Sequence, residues 1–123
     1  MNTNDSAIYH MCRREEWTAA ETAGAYGGSS QDRADGFIHF SSAQQVVKSA
    51  AKHRAGQDGL VLLRVDTTKL GDALKWEESR GGALFPHLYG ELPVGAVIAV
   101  YDVPLGTDGL HMFPPELDLV EGE

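Results

Sequence analysis

The sequence is nearly free of cysteine, with Cys12 standing alone among 123 residues. A disulfide within the chain is therefore excluded, and a reducing, cytoplasmic setting is the expectation. "YHMCRR" gives Cys12 basic neighbours, but a free cysteine on a short apolar strand reads as a small buried residue. Positive charge is scarce as well. Ten Lys and Arg stand against 18 Asp and Glu, a formal net charge of −8. That argues against a nucleic-acid or membrane partner, since both reward a positive surface. A small anionic ligand is still compatible, because local cations and backbone N–H groups can make a positive pocket. No apolar run approaches the roughly 20 residues of a membrane span. The start, "MNTNDSAIYH", lacks the basic-then-apolar order of a signal peptide. Neither G-x-G-x-x-G nor G-x-x-x-x-G-K occurs, so neither dinucleotide-fold nor P-loop phosphate binding is signalled. There is no internal repeat and no low-complexity tract.

What is present is ordinary globular material, 42% hydrophobic and 23% charged. A chain of this length buries about two-thirds of its unfolded surface without a metal or disulfide staple. The expected organisation is a disordered N-terminus over 1–6, one domain over 7–113, and an acidic flexible tail over 114–123.

"AIYHMC" reads as a first strand. "RREEWTAAETAG" reads as a short helix, with Trp17, Ala20 and Ala23 at helical spacing and Gly24 as its stop. "AYGGSSQDRADG" reads as a loop, and a loop this long is expected to be functional or mobile rather than idle. "GFIHFS" is a second strand. The helix after it has a capping box in either Ser41/Gln44 or Ser42/Gln45, an apolar stripe of Val46, Val47, Ala50 and Ala51, and an end at Gly56. "LVLLRVD" is a near-continuous aliphatic run, the mark of a central strand. "LKWEE" reads as a brief strand, "FPHLYGELP" as an ordered loop or short edge segment, and "GAVIAVYDVP" as the last strand. Helices early and strands late predict an α+β fold around one sheet or two small packed β-sheets, with flanking helices.

Three of the five histidines fall in segments that also carry hydroxyls or aromatics: "IYHM" (His10), "FIHFSS" (His39) and "FPHLYG" (His87). His53, at a helix C-terminus, and His111, in the tail, read as incidental. Strand alternation places Phe37, His39 and Ser41 on one face and Ile38 and Phe40 on the other. One serine caps the following helix, whose N-terminus favours anions. The adjacent Glu77 and Glu78 point to opposite faces of an extended segment, so one of them faces inward. Two chemistries are open to converging histidines. They can hold a catalytic zinc with an open position, although no H-x-H or H-x-x-x-H pair is present. Or, with Ser41 and Tyr89, they can hydrogen-bond an organic ligand. A third reading is a non-catalytic interaction domain in which the histidines organise a small polar core.

"DGFIHFSS", "FPHLYGELP" and "AVIAV" together resemble the signature of a family of small uncharacterised bacterial proteins, over about Ile8 to Val103. The fold of that family is similar to that of the ADP-ribosyltransferases, two small packed sheets with an NAD-binding cleft between them. The resemblance implies that His10 hydrogen-bonds a ribose, that His39 and Ser41 stand beside the nicotinamide, and that Glu77 or Glu78 steadies the transition state. The expectation is thus a histidine-lined cleft for NAD, an ADP-ribosyl group or a phosphorylated ribose. His39 and Glu78 would be catalytic, and His10, Ser41, His87 and Tyr89 would bind ligand. NAD would be the substrate of a possible ADP-ribosyl- or phosphoryl-transferase, working as a monomer or weak dimer with no resident metal.

Overall fold

The computed structural model describes residues 7–78 and 82–114. Along the chain run β1 (Ala7–Arg13), α1 (Arg14–Ala23), β2 (Ala25–Tyr26), α2 (Ser30–Asp35), β3 (Ile38–His39), α3 (Ala43–His53), β4 (Leu60–Asp66), β5 (Leu74–Glu78), β6 (Leu84–Leu88), β7 (Leu92–Pro93) and β8 (Val97–Asp102). The fold is α+β. One antiparallel sheet has the order β1-β4-β8, a second β3-β6-β5, and β2 and β7 form a two-stranded ribbon.

β4 is central, as its aliphatic run requires. Val61, Leu63 and Val65 pack on one face with Ile8, Cys12 and Trp17. Leu60 and Leu62 pack on the other with Tyr9, Met11, Val46 and Ala50. Each fully buried aliphatic side chain here contributes about 1.5–3 kcal/mol. The stripe on α3 is what closes the second face.

Three sequence expectations are corrected. The loop "AYGGSSQDRADG" contains β2 and the six-residue helix α2. α2 is too short to show an apolar stripe. Its signal is the reciprocal cap, in which Asp32 N–H donates to Ser29 Oγ at 3.2 Å and Ser29 N–H donates to Asp32 Oδ2 at 2.8 Å. α3 ends at His53, before Gly56, and its capping box is Ser42 with Gln45.

The third correction concerns "FPHLYG". β6 is the middle strand of its sheet, although Pro86 lies inside it. A proline cannot donate to a ladder and is normally kept to edges. Here the Pro86 carbonyl accepts from Phe40 N–H at 3.0 Å, on the β3 side. Its missing N–H faces the same side, and β3 stops at His39. The chain then turns to the other sheet, where Tyr9 N–H donates to Ser41 O at 2.7 Å and Ser41 N–H to Tyr9 O at 2.8 Å. Pro86 is thus tolerated where segment 38–41 leaves one sheet for the next.

Candidate functional site

The site is built around segment 37–41. Ile38 and Phe40 enter the core, while the rings of Phe37 and His39 lie side by side, with centroids 4.6 Å apart. His39 is paired across the sheet with His87. Its own N–H and C=O face the open edge of β3, and side chains satisfy both. His39 N–H donates to Asp32 Oδ1 at 3.1 Å. The His39 carbonyl accepts from His10 Nδ1 at 2.6 Å. An edge that would otherwise expose unpaired backbone is thereby closed.

That carbonyl fixes the tautomer of His10. Nδ1 must carry the proton, so Nε2 accepts, and it does so from Tyr26 Oη at 2.9 Å. His10 is buried, and its burial holds its pKa below the usual histidine value, outweighing the pull of Asp32. His10 is therefore neutral. Behind it, burial pushes the Cys12 thiol up to about 12. Cys12 is the inert core residue that its context suggests.

His39 is the opposite case. Nδ1 donates to Asp32 Oδ1 at 2.5 Å and Nε2 to Asp35 Oδ2 at 2.9 Å. Carboxylates only accept, so both ring nitrogens carry protons and His39 is an imidazolium. The hydrogen bond to Asp32 raises its pKa against the opposing effect of partial burial. Burial alone would raise the Asp32 carboxyl. The hydrogen bonds from His39 and Ser29 win, and its pKa falls to about 2.

A second group adjoins it, with His87 buried, Phe37 and Glu77 half-buried and Tyr89 exposed. The Phe37 ring stacks on His87, with centroids 4.1 Å apart and planes at 27°, and lies 5.2 Å from Tyr89. His87 Nδ1 donates to Glu77 Oε1 at 2.8 Å, and Tyr89 Oη donates to the same oxygen at 2.7 Å. These bonds hold the Glu77 carboxyl below, and the Tyr89 hydroxyl above, their ordinary pKa values.

The structure thus brings His10, His39 and His87 into one contiguous cluster, with Tyr89 at its exposed end. The expected site residues differ in burial and partners. His10 is sealed behind the His39 backbone with both nitrogens engaged. Ser41 is buried, and its backbone stitches to Tyr9. The carboxylate that meets the histidines is Glu77. Glu78, expected as catalytic, is exposed and points to the other face of β5. His111, expected to be incidental, is buried and hydrogen-bonds Gln57 O through Nε2 at 2.7 Å. Asp32, Asp35 and Tyr26 were absent from the sequence expectation. The Ser29-x-x-Asp32 spacing inside the long loop was the available signal for Asp32.

Among the described residues no group of three or more His, Cys, Asp or Glu is placed to hold a metal ion. No helix among them is long and apolar enough to cross a membrane.

The same fold occurs in protein CC0527 from Caulobacter crescentus. Its crystal structure is 47% identical, with a TM-score of 0.87, over 91% of this chain and 98% of that one. Its solution NMR structure is also 47% identical, with a TM-score of 0.82, over 93% of this chain and 98% of that one. No curated protein matches the chain. The family model described as "protein of unknown function (DUF952)" matches residues 11–100, and the chain belongs to that family.

Proposed function

We propose that the chain binds a nucleotide of the NAD⁺ or ADP-ribose class on the face where β3 and β6 meet, and that its fold is of the ADP-ribosylation type. One observation carries this reading. An imidazolium, His39, is held charged at the surface of an acidic protein, beside a wall formed by Phe37, His87 and Tyr89. The cation suits a phosphate oxygen, and the aromatic wall suits a base or a nicotinamide ring. The ionised Glu77, steadied by His87 and Tyr89, suits a ribose hydroxyl or a developing positive charge.

If the ligand reacts, the bond that breaks is the one between nicotinamide and ribose C1′. Nicotinamide leaves with the bonding electron pair, neutral, and the positive charge passes to the ribose. Glu77 stabilises that charge until an acceptor's lone pair forms the new bond to C1′ and the acceptor gives up its proton. His10 would take part only by fixing the His39 backbone.

A specific observation favours a second reading, that of a non-catalytic domain. Both ring nitrogens of His10 and of His39 already have protein partners. On that reading the network only holds α2 to β3.

Titration calorimetry with NAD⁺, ADP-ribose and a 2′-phosphorylated nucleotide, together with imidazole NMR shifts, separates the two. The nucleotide reading expects heat and shifts at His39 and His87. Absence of both with all three ligands would overturn it and leave the structural reading, which expects His39→Ala to lower the melting temperature and nothing more.

A further inference from the structure

We infer that Nε2 of His39 is the docking point for the pyrophosphate of the ligand, and that the Asp35 carboxylate occupies this place in the unliganded chain. The inference rests on the nucleotide reading above and names the part of the ligand that the cation takes.

The two nitrogens of His39 are held differently. Nδ1 faces Asp32, which is 3% exposed and also accepts the N–H groups of Ser29 and His39. That carboxylate cannot leave without orphaning buried donors. Nε2 faces Asp35, whose side chain is 38% exposed and whose other hydrogen bond is from the Gln31 amide at 3.0 Å. Asp35 is free to turn outward into water.

Helix formation gives only a weak reason for an acid at this position, the bond from Gln31 one turn back. Asp35 is the last residue of α2, where the macrodipole is negative and a carboxylate is disfavoured. The next residue, Gly36, ends the helix at φ 88°. Rotation of the Asp35 side chain therefore breaks no backbone hydrogen bond. What Asp35 does supply is an anionic oxygen 2.9 Å from a charged N–H donor. A phosphate oxygen makes the same charge-assisted bond at the same distance. Phe37 stands 4.6 Å from the His39 ring, so a group docked on Nε2 would have the aromatic wall beside it. Lys75, paired with His87 across the sheet, is a second cation on that face.

Asp35 is thus an internal competitor, and removing its charge should strengthen the binding of anions. The test is calorimetry of the full chain with ADP-ribose and, as the uncharged control, adenosine. Asp35→Asn is expected to bind ADP-ribose about fivefold more tightly than the wild type, the yield of freeing one exposed ion pair. Adenosine affinity should not change, and Asp35→Glu should return ADP-ribose binding to the wild-type value. If the wild type binds ADP-ribose and Asp35→Asn binds it equally or more weakly, the competitor inference falls while the nucleotide reading stands. The inference falls likewise if adenosine tightens in parallel. If ADP-ribose binds none of the three proteins, this inference falls, and if NAD⁺ and the 2′-phosphorylated nucleotide fail as well, the nucleotide reading falls with it.

Discussion

His10 donates to the carbonyl of His39 across 2.6 Å, yet the two rings have opposite surroundings. One is buried against Tyr26 and held neutral, and the other lies between two carboxylates and is held charged. The signs of the pH dependence follow. The folded pKa of His39 lies above 6.5, so its stabilisation is complete below 6.5 and drains away as pH rises through the folded value. The folded pKa of His10 lies below 6.5, so its contribution is complete above 6.5 and is lost as pH falls from there. Asp32, at about 2 against an ordinary 3.8, adds a further loss as pH falls below 3.8. Melting temperature against pH should therefore peak near the ordinary histidine value, and Asp32→Asn should flatten the alkaline limb. An alkaline limb unchanged in Asp32→Asn would contradict the pairing. Long-range ¹H–¹⁵N spectra near pH 6.5 should show His10 as the Nδ1–H tautomer and His39 doubly protonated. Only part of this was legible in the sequence. The motifs pick out His39 and His87, but nothing in "IYHM" says that His10 faces a backbone carbonyl, because that contact spans 29 positions and depends on two sheets meeting.

Among the elements, α2 decides whether the site forms. It is six residues long, too short to be stable alone, and it holds through the Ser29–Asp32 cap and the bonds of Asp32 to β3. Gly28 makes room for it. Its φ is +95°, and a β-carbon there would stand 2.7 Å from Asp32 Cβ and 3.2 Å from Ile38 Cγ1. Gly28→Ala should cost about 3 kcal/mol in denaturant unfolding, from backbone strain and overpacking together. It should also move the His39 ring resonances, which an unrelated loss of stability would not do. α1, α3, β4 and β8 could be read from sequence because each has an apolar pattern long enough to show its period. α2 and β2 could not, since six and two residues carry no period. β6 was obscured by Pro86, whose penalty disappears only because β3 ends beside it.

Across the whole molecule, two three-stranded sheets meet through segment 38–41. Residues 38 and 39 pair with β6, and residue 41 pairs with β1. If this junction belongs to the cooperative core, the Tyr9 and Ser41 amides should exchange with deuterium as slowly as those of Leu62 and Leu63 in β4. Rapid exchange at Tyr9 and Ser41 would mean that the sheets open independently. The overall class was readable from element order, but the meeting of the sheets was not, because it rests on a backbone bridge between positions far apart in the chain. That bridge also sets a length standard. Phe40, whose N–H still reaches Pro86 O of β6, is the single residue between His39, paired in one sheet, and Ser41, bridged to the other. Duplicating or deleting it would turn either His39 or Ser41 to the wrong side. A residue added to or taken from a surface loop leaves this junction intact, whereas one added or removed between His39 and Ser41 undoes it.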